Sequence, residues 1–347
     1  MKTVVIGMSG GVDSSVAAIL LQKQGYKVIG VTFVCTDDFD TSDAVKICKR
    51  LGIELHILDY REIFKKEIID KFINDYKNGI TPNPCILCNR KIKFNYLYQA
   101  MEDFKADYLA TGHYARIIDG KLYKSADLNK DQTYFLCEVT KEQLGKTLFP
   151  LEGISKEVVR SIASEYELEN ANKKDSTDVC FITSNFKDYM KTHINASNGK
   201  VIDIGTNKIV GEHNGLNNYT IGQRKGLNIG GNSNRMFVVG KDVNKNILYV
   251  SFKEDNEYLL SDSALIEDLN WIGDAKLDKC TAKFRYRQLE NDVELEFIDD
   301  KHVLVKYPQK IKAVTPGQAC VFYNKDECLG GGIIKEVYKN NERIKYL

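Results

Sequence analysis

Apolar and polar positions follow two textures along this chain, and the texture changes near residue 196. In the first part, residues 3–8 form a β-branched apolar run that predicts a buried strand. Residues 14–24 then carry apolar side chains at helical spacing until Gly25 supplies a stop. Residues 28–33 predict the next strand. Strand, glycine turn, helix and strand make a βαβ unit, which lies in a parallel sheet with ligands at the carboxyl ends of the strands. The pattern repeats with a helix over 43–51, a strand over 54–58 and a helix over 61–76. Residues 78–84, with a glycine and two prolines, must be a loop. A helix over 89–101, a strand over 107–111 and a last helix over 155–167 complete this part.

From about residue 197, glycine and asparagine turns separate short alternating runs at 200–204, 236–240 and 247–250. Further runs at 280–286, 293–297, 302–307, 319–323 and 331–337 have the spacing of a small sandwich or barrel. The expected division is 1–196, 197–260 and 261–347, without internal repeats.

Composition narrows the class. With 347 residues, 43% hydrophobic and 28% charged, the chain is long enough for two or three cored domains and lies far from disorder. No run approaches a membrane span, and the N-terminal stretch lacks a secretory pattern, so a cytoplasmic protein is expected. Nine cysteines in that setting point to metal, redox or nucleophilic roles rather than a disulfide framework. A net charge of +1 identifies no partner, because a basic RNA footprint can be local.

Ser9-Gly10-Gly11-Val12-Asp13-Ser14-Ser15 sits between the first strand and helix. Glycines let the backbone fold back, and amides at a helix start face an anion. It is neither the Walker nor the dinucleotide pattern. A plain glycine connection is the alternative, but it needs neither the aspartate nor three serines. The stretch resembles the signature of the PP-loop ATP pyrophosphatases, which cleave ATP between the α and β phosphates and adenylate an acceptor.

Cys85 and Cys88 lie three residues apart, between a proline-stiffened loop and a predicted helix start that would lower their pKa values. Cys180 follows Lys173 and Lys174, which could act likewise. A structural zinc would call for a further cysteine or histidine pair, and none is evident. Cys35, Cys48, Cys137, Cys280, Cys320 and Cys328 read as fillers in apolar surroundings.

SGGVDSS, NPCILCN with KIKF behind it, TGHYA, KDQTYFL, KKDSTDVCFI, YTIGQRKGL, FRYRQ and TPGQA occur in that order. In this order the chain resembles the tRNA-specific 2-thiouridylase family nearly end to end. The resemblance implies an α/β fold with a parallel-sheet PP-loop domain, a small central domain and a C-terminal β-barrel that grips the tRNA anticodon arm. It implies ATP, with Mg²⁺, at Gly7, Met8, Ser9, Gly10, Gly11, Val12, Asp13 and Ser14, with Phe33 near adenine and Gly112 lining the pocket. Cys88 matches the nucleophile and Cys180 the persulfide carrier, loaded by a sulfur-donor protein such as a cysteine desulfurase or relay. Asn83, Pro84 and Cys85 match the surroundings of the target base. His113, Lys130, Asp131, Gln132, Arg285, Tyr286 and Gln318 match tRNA-contacting positions. Gln223, Arg224 and Lys225 read as phosphate contacts or as plain surface. Many members carry aspartate where this chain has Cys85. In this respect the chain resembles the branch whose three cysteines, here Cys85, Cys88 and Cys180, hold a 4Fe-4S cluster. A PP-loop ligase or amidotransferase acting on a small metabolite is the rival expectation.

Overall fold

The computed structural model describes residues 1–173, 179–227, 236–252, 257–273 and 277–347. Thr3–Gly7 pairs in parallel with Lys27–Val34 on one side and Tyr108–Ala110 on the other. Glu54–Asp59 and Thr147–Leu148 extend this parallel sheet at its two edges. Successive side chains of a strand face opposite layers. Val5 accordingly packs with Val31, Phe94 and Leu97, while Val4 and Ile6 pack with Val16, Ile19 and Val159 on the other face. Each such fully buried side chain contributes about 1.5–3 kcal/mol. Both faces are therefore covered, and the strand reads as a continuous apolar run.

Two long helices pass through π turns. One consists of Arg61–Phe64, Lys65–Ile69 and Asp70–Lys77, and the other of Pro84–Cys88, Asn89–Lys93 and Phe94–Asp103. The second begins five residues earlier than its apolar spacing suggests. Pro84 occupies the first turn, where its missing N–H costs nothing, and the Asn83 side chain caps the helix. A further helix at Phe186–His193 escapes the sequence pattern because it buries only Met190.

Gly199–Asp203, Lys208–His213, Phe237–Asp242 and Ile247–Ser251 form a small central sheet. Beyond it, Leu260–Trp271 pairs with both Val303–Lys312 and Glu327–Lys339. With Asn291–Phe297, Lys279–Lys283 and Ala319–Asn324 between them, this closes an antiparallel barrel of six strands. The hairpin Ala115–Ile118 and Lys121–Lys124, from the first part of the chain, adds to this sheet through Tyr123 opposite Glu327 and Leu122 opposite Cys328. The expected α/β domain, central domain and C-terminal barrel are all present.

Candidate active site

The phosphate turn is shaped largely by its own atoms. Ser14 and Ser15 donate their hydroxyls to Gly11 O at 3.0 and 2.8 Å, and the Gly11 amide donates to Ser9 Oγ at 3.3 Å. Ser9 Oγ also lies 3.2 Å from Ser14 Oγ. Gly10 has φ +73, and a Cβ there would stand 2.9 Å from Asp43 Cβ. Val12–Lys23 starts at Gly11 with no side-chain cap, so its first amides can receive an anion. Met8 and Gly7 form the strand end behind it, where Met8 O accepts the Thr32 hydroxyl at 2.6 Å. A Cβ on Gly112 would lie 2.8 Å from the Asp13 carbonyl carbon and from Ser14 N. Only glycine lets this loop lie on the helix start. Phe33 is half-buried at the end of its strand, edge-on to Tyr60 at 5.3 Å.

Three side chains that the sequence did not single out support the turn. Lys156 Nζ and Tyr114 OH donate to Asp13 Oδ1 at 2.6 and 2.8 Å. The buried Asn170 amide donates to Gly10 O at 2.9 Å and Ser15 Oγ at 3.1 Å. Tyr114 belongs to TGHYA and could have been found there. Lys156 and Asn170 come from a distant helix and the turn beyond it, with no local signature.

The thiols assemble nearby. Asn83 Oδ1 accepts the Cys85 amide at 3.2 Å, fixing the first turn of the thiol helix. Phe181 sits edge-on to Phe64 at 5.8 Å and Phe72 at 5.2 Å, which anchors its neighbour Cys180 against the helices. Cys35, Leu87, Cys88 and Val179 pack around the same apolar cluster. Cys85 and Cys180 are exposed, whereas Cys35 and Cys88 are half-buried. Burial pushes the Cys88 thiol up to about 12; Lys93 pulls against this, while Cys180, Cys35 and Cys85 reinforce it. Cys85 and Cys180 are also raised, first by crowding of the sulfur, with Lys93 again opposing. Burial, then Cys180, pushes Cys35 up to about 12.

Two expectations are corrected here. The thiol pKa values lie above the ordinary value, because desolvation outweighs the helix start and the neighbouring cations. Lys173, expected beside Cys180, instead donates to Asp43 at 2.6 Å, and Lys174 lies outside the described residues together with 175–178. Among the described residues, the cation that faces the sulfurs is Lys93. Five positions along an α-helix would turn it about 140° away from Cys88. The π turn Asn89–Lys93, with its i→i+5 bonds, returns it towards that face. Cys35 belongs to this group of sulfurs and is no mere core filler. No group of three His, Cys, Asp or Glu among the described residues could hold a metal ion. The described residues therefore lend no support to the expected iron–sulfur ligand set of Cys85, Cys88 and Cys180.

His113 joins the two centres. Gly112 lies on the phosphate turn, while burial and Lys93 hold the His113 imidazole well below its ordinary pKa. It is therefore neutral, with Nδ1 2.7 Å from Thr111 Oγ1 and its ring stacked on Phe94. The remaining candidates spread across the cleft and barrel. Asp131 is buried and accepts the Thr133 hydroxyl at 2.7 Å, and Gln132 Oε1 accepts the Tyr114 amide at 2.9 Å. Both stabilise the turn that carries Lys130. Arg285 donates to Ile221 O at 2.9 Å and Thr315 Oγ1 at 2.6 Å, while Tyr286 packs on Phe135 at 4.4 Å. Gln318 reaches the loop before the thiol helix. Gln223 also turns inward, accepting the Thr220 amide at 2.9 Å and donating to Lys225 O at 3.0 Å.

Three family models match in succession: a tRNA methyl transferase HUP domain over 2–184, a tRNA methyl transferase PRC-barrel domain over 187–252 and an aminomethyltransferase β-barrel domain over 261–334. Among solved structures, a 4-thiouridine synthetase in complex with RNA and ATP has TM-score 0.36 and 20% identity over 52% of this chain and 45% of that one. The ammonia-dependent NAD synthetase of Campylobacter jejuni has TM-score 0.33 and 20% identity over 50% of this chain and 69% of that one. Two proteins described as tRNA-specific 2-thiouridylase MnmA are similar throughout. That of Bacillus cytotoxicus is 45% identical over 99% of this chain and 97% of its own, and that of Mycoplasmopsis synoviae 45% over 100% and 99%. Similarity at that level across all three parts places the chain in the tRNA-specific 2-thiouridylase family.

Proposed function

We propose that this chain is a tRNA-uridine 2-sulfurtransferase that makes 2-thiouridine at the wobble position. The observation that carries this reading is the convergence of Cys88 and Cys180, far apart in sequence, on Lys93 beside the loop that touches the phosphate turn. A uridine C2 carbonyl has no leaving group. ATP therefore adenylates its oxygen, pyrophosphate leaves, and sulfur then displaces AMP.

Residues 7–14 would hold the phosphates, with Phe33 and Gly112 bounding the nucleotide. Asp13 suits Mg²⁺, which is commonly held by one or two carboxylates together with substrate phosphates. Mg²⁺ would neutralise phosphate charge there, and Lys156 and Tyr114, which donate to Asp13 Oδ1, would orient the carboxylate that held it.

The exposed Cys180 suits loading by a sulfur-donor protein, and the half-buried Cys88 suits an internal attack. The Cys88 thiolate attacks the inner sulfur of the Cys180 persulfide, the Cys88–Cys180 disulfide forms, and hydrosulfide leaves. Hydrosulfide attacks C2 and expels AMP, and an external dithiol returns two electrons to the disulfide. A 4Fe-4S cluster on Cys85, Cys88 and Cys180 finds no support among the described residues, where no group of three metal ligands is found.

Asn83, Pro84 and Cys85 would face the target base. The anticodon arm would meet His113, Lys130 and Tyr286, with Asp131, Gln132, Arg285 and Gln318 shaping that surface from beneath. The division at 196 and 260 would separate catalysis from the two β domains. No helix among the described residues is long and apolar enough to cross a membrane, and a cytoplasmic location accords with a tRNA substrate.

Nucleoside mass spectrometry of tRNA from cells lacking the gene tests this function. Full retention of 2-thiouridine overturns it, and ATP cleavage that needs no RNA would favour a PP-loop ligase instead.

A further inference from the structure

Residues 79–81, which lead into the thiol helix, are held from two other parts of the chain. From the barrel, Gln318 Nε2 donates to Thr81 O at 2.7 Å, and the Thr81 amide donates to Pro316 O at 3.4 Å. Gly317 has φ +88, and a Cβ there would stand 2.1 Å from Ile80 Cγ2 and 3.2 Å from the Thr81 carbonyl. From the central domain, the buried Lys241 Nζ donates to Gly79 O at 3.2 Å. Gly79 itself has φ +76, with room for no Cβ beside Val243.

These contacts act on the backbone of a segment with few bonds of its own. Gly79 and Ile80 amides donate back to Tyr76 O and Asp75 O, finishing the preceding helix. Thr81 O, the next carbonyl but one after Gly79 O, is bound by a side chain from a different domain. The Thr81 hydroxyl is buried without a hydrogen-bond partner among the described residues, so it contributes no competing local bond there. The turn that carries Gln318 is itself fixed: Gly317 N–H donates to Ile334 O, Ile334 N–H donates to Gln318 O, and Arg285 joins Thr315 to Ile221. The position of Asn83–Cys88 is thus set at one end by the other two domains.

We propose that Gln318, Gly317 and Lys241 are positioning residues: the barrel and the central domain close a clasp on residues 79–81 that fixes where Cys85 and Cys88 stand. Under the sulfurtransferase reading on which this rests, the domains that grip tRNA also hold the loop that presents the thiols. Recognition and thiol placement are then coupled mechanically.

The test uses the full chain without RNA. Gly317→Ala, Lys241→Met and Gln318→Met are labelled with iodoacetamide, and each cysteine is followed by mass spectrometry. Opening of the clasp should accelerate labelling of Cys85 and Cys88 at least about threefold, while Cys48 and Cys320, buried in separate cores, keep their rates. Unchanged rates at Cys85 and Cys88 overturn the proposal. So does a uniform rise that includes Cys48 and Cys320, because it reports general loosening. Should Gly317→Ala fail to fold, Lys241→Met and Gln318→Met still decide the matter. Labelling requires no thiolation, so a chain that labels as expected yet makes no 2-thiouridine refutes the proposed function and leaves the clasp standing.

Discussion

The phosphate turn and the thiol group sit close together but are built in opposite ways. The turn comes from one stretch: Ser9, Ser14 and Ser15 bond within it, and the strand and helix that flank it are its chain neighbours. The thiol group draws Cys35 from the end of a strand, Cys85, Cys88 and Lys93 from a π-bulged helix, and Cys180 from the segment between the helices Lys156–Glu165 and Phe186–His193. A site made of neighbours is encoded locally, whereas a site made of distant segments depends on the packing that joins them. Damage to the first should remain local, and the second should respond to changes made elsewhere.

The largest expected effect separates the two chemically. Cys88→Ser and Cys180→Ser should each lower 2-thiouridine formation at least about a hundredfold while tRNA-dependent pyrophosphate release persists. Loss of both activities together would merge the two centres into one. Next, Gly112→Ala places a methyl group against the backbone of Asp13 and Ser14, which cannot give way. Pyrophosphate release should fall about tenfold or more, with alkylation of Cys180 unchanged.

Lys93→Met removes the cation that holds the sulfurs down. The pH midpoint for Cys88 alkylation should move further up and the rate near pH 8 should fall about threefold, with Lys93→Arg restoring both. An unmoved midpoint would remove Lys93 from the thiol group. The smallest effect is on stability. Folded His113 has a pKa well below 6.5, so on acidification the unfolded chain takes up this proton first. The stabilisation is whole above pH 6.5 and drains as pH falls from there towards the folded value. Melting should drop by about 2–4 °C between pH 7 and 5.5, and less in His113→Gln.

The same division explains what could be read from the chain. The phosphate turn, the parallel strands and most barrel strands were legible because apolar period and turn residues are local signals. Cys88 and Cys180 were singled out through motif order, and the fold brings both to Lys93. Lys93 was not, because an α-helical wheel turns it away from Cys88 and only the π turn brings it back. Lys156 and Asn170 act on the turn from a distance, and no neighbouring residue announces them. Leu260–Trp271 was lost at a presumed boundary, since register shifts against both of its neighbours break its alternation. The hairpin at 115–124 carried its own sign in Asp119-Gly120, both with positive φ, as a tight hairpin turn requires.

That hairpin bears on how the molecule is made. Lys121–Lys124 leaves the ribosome long before Glu327 and Cys328, the residues it pairs with. Until then its strand edge is unsatisfied, and Leu122, fully buried in the finished protein, lacks its cover from the last strands. A nascent chain ending near residue 196 is thus left with an adhesive margin. Synthesis of this protein is a closing stitch, in which a strand made two domains later seals a seam opened in the sheet domain.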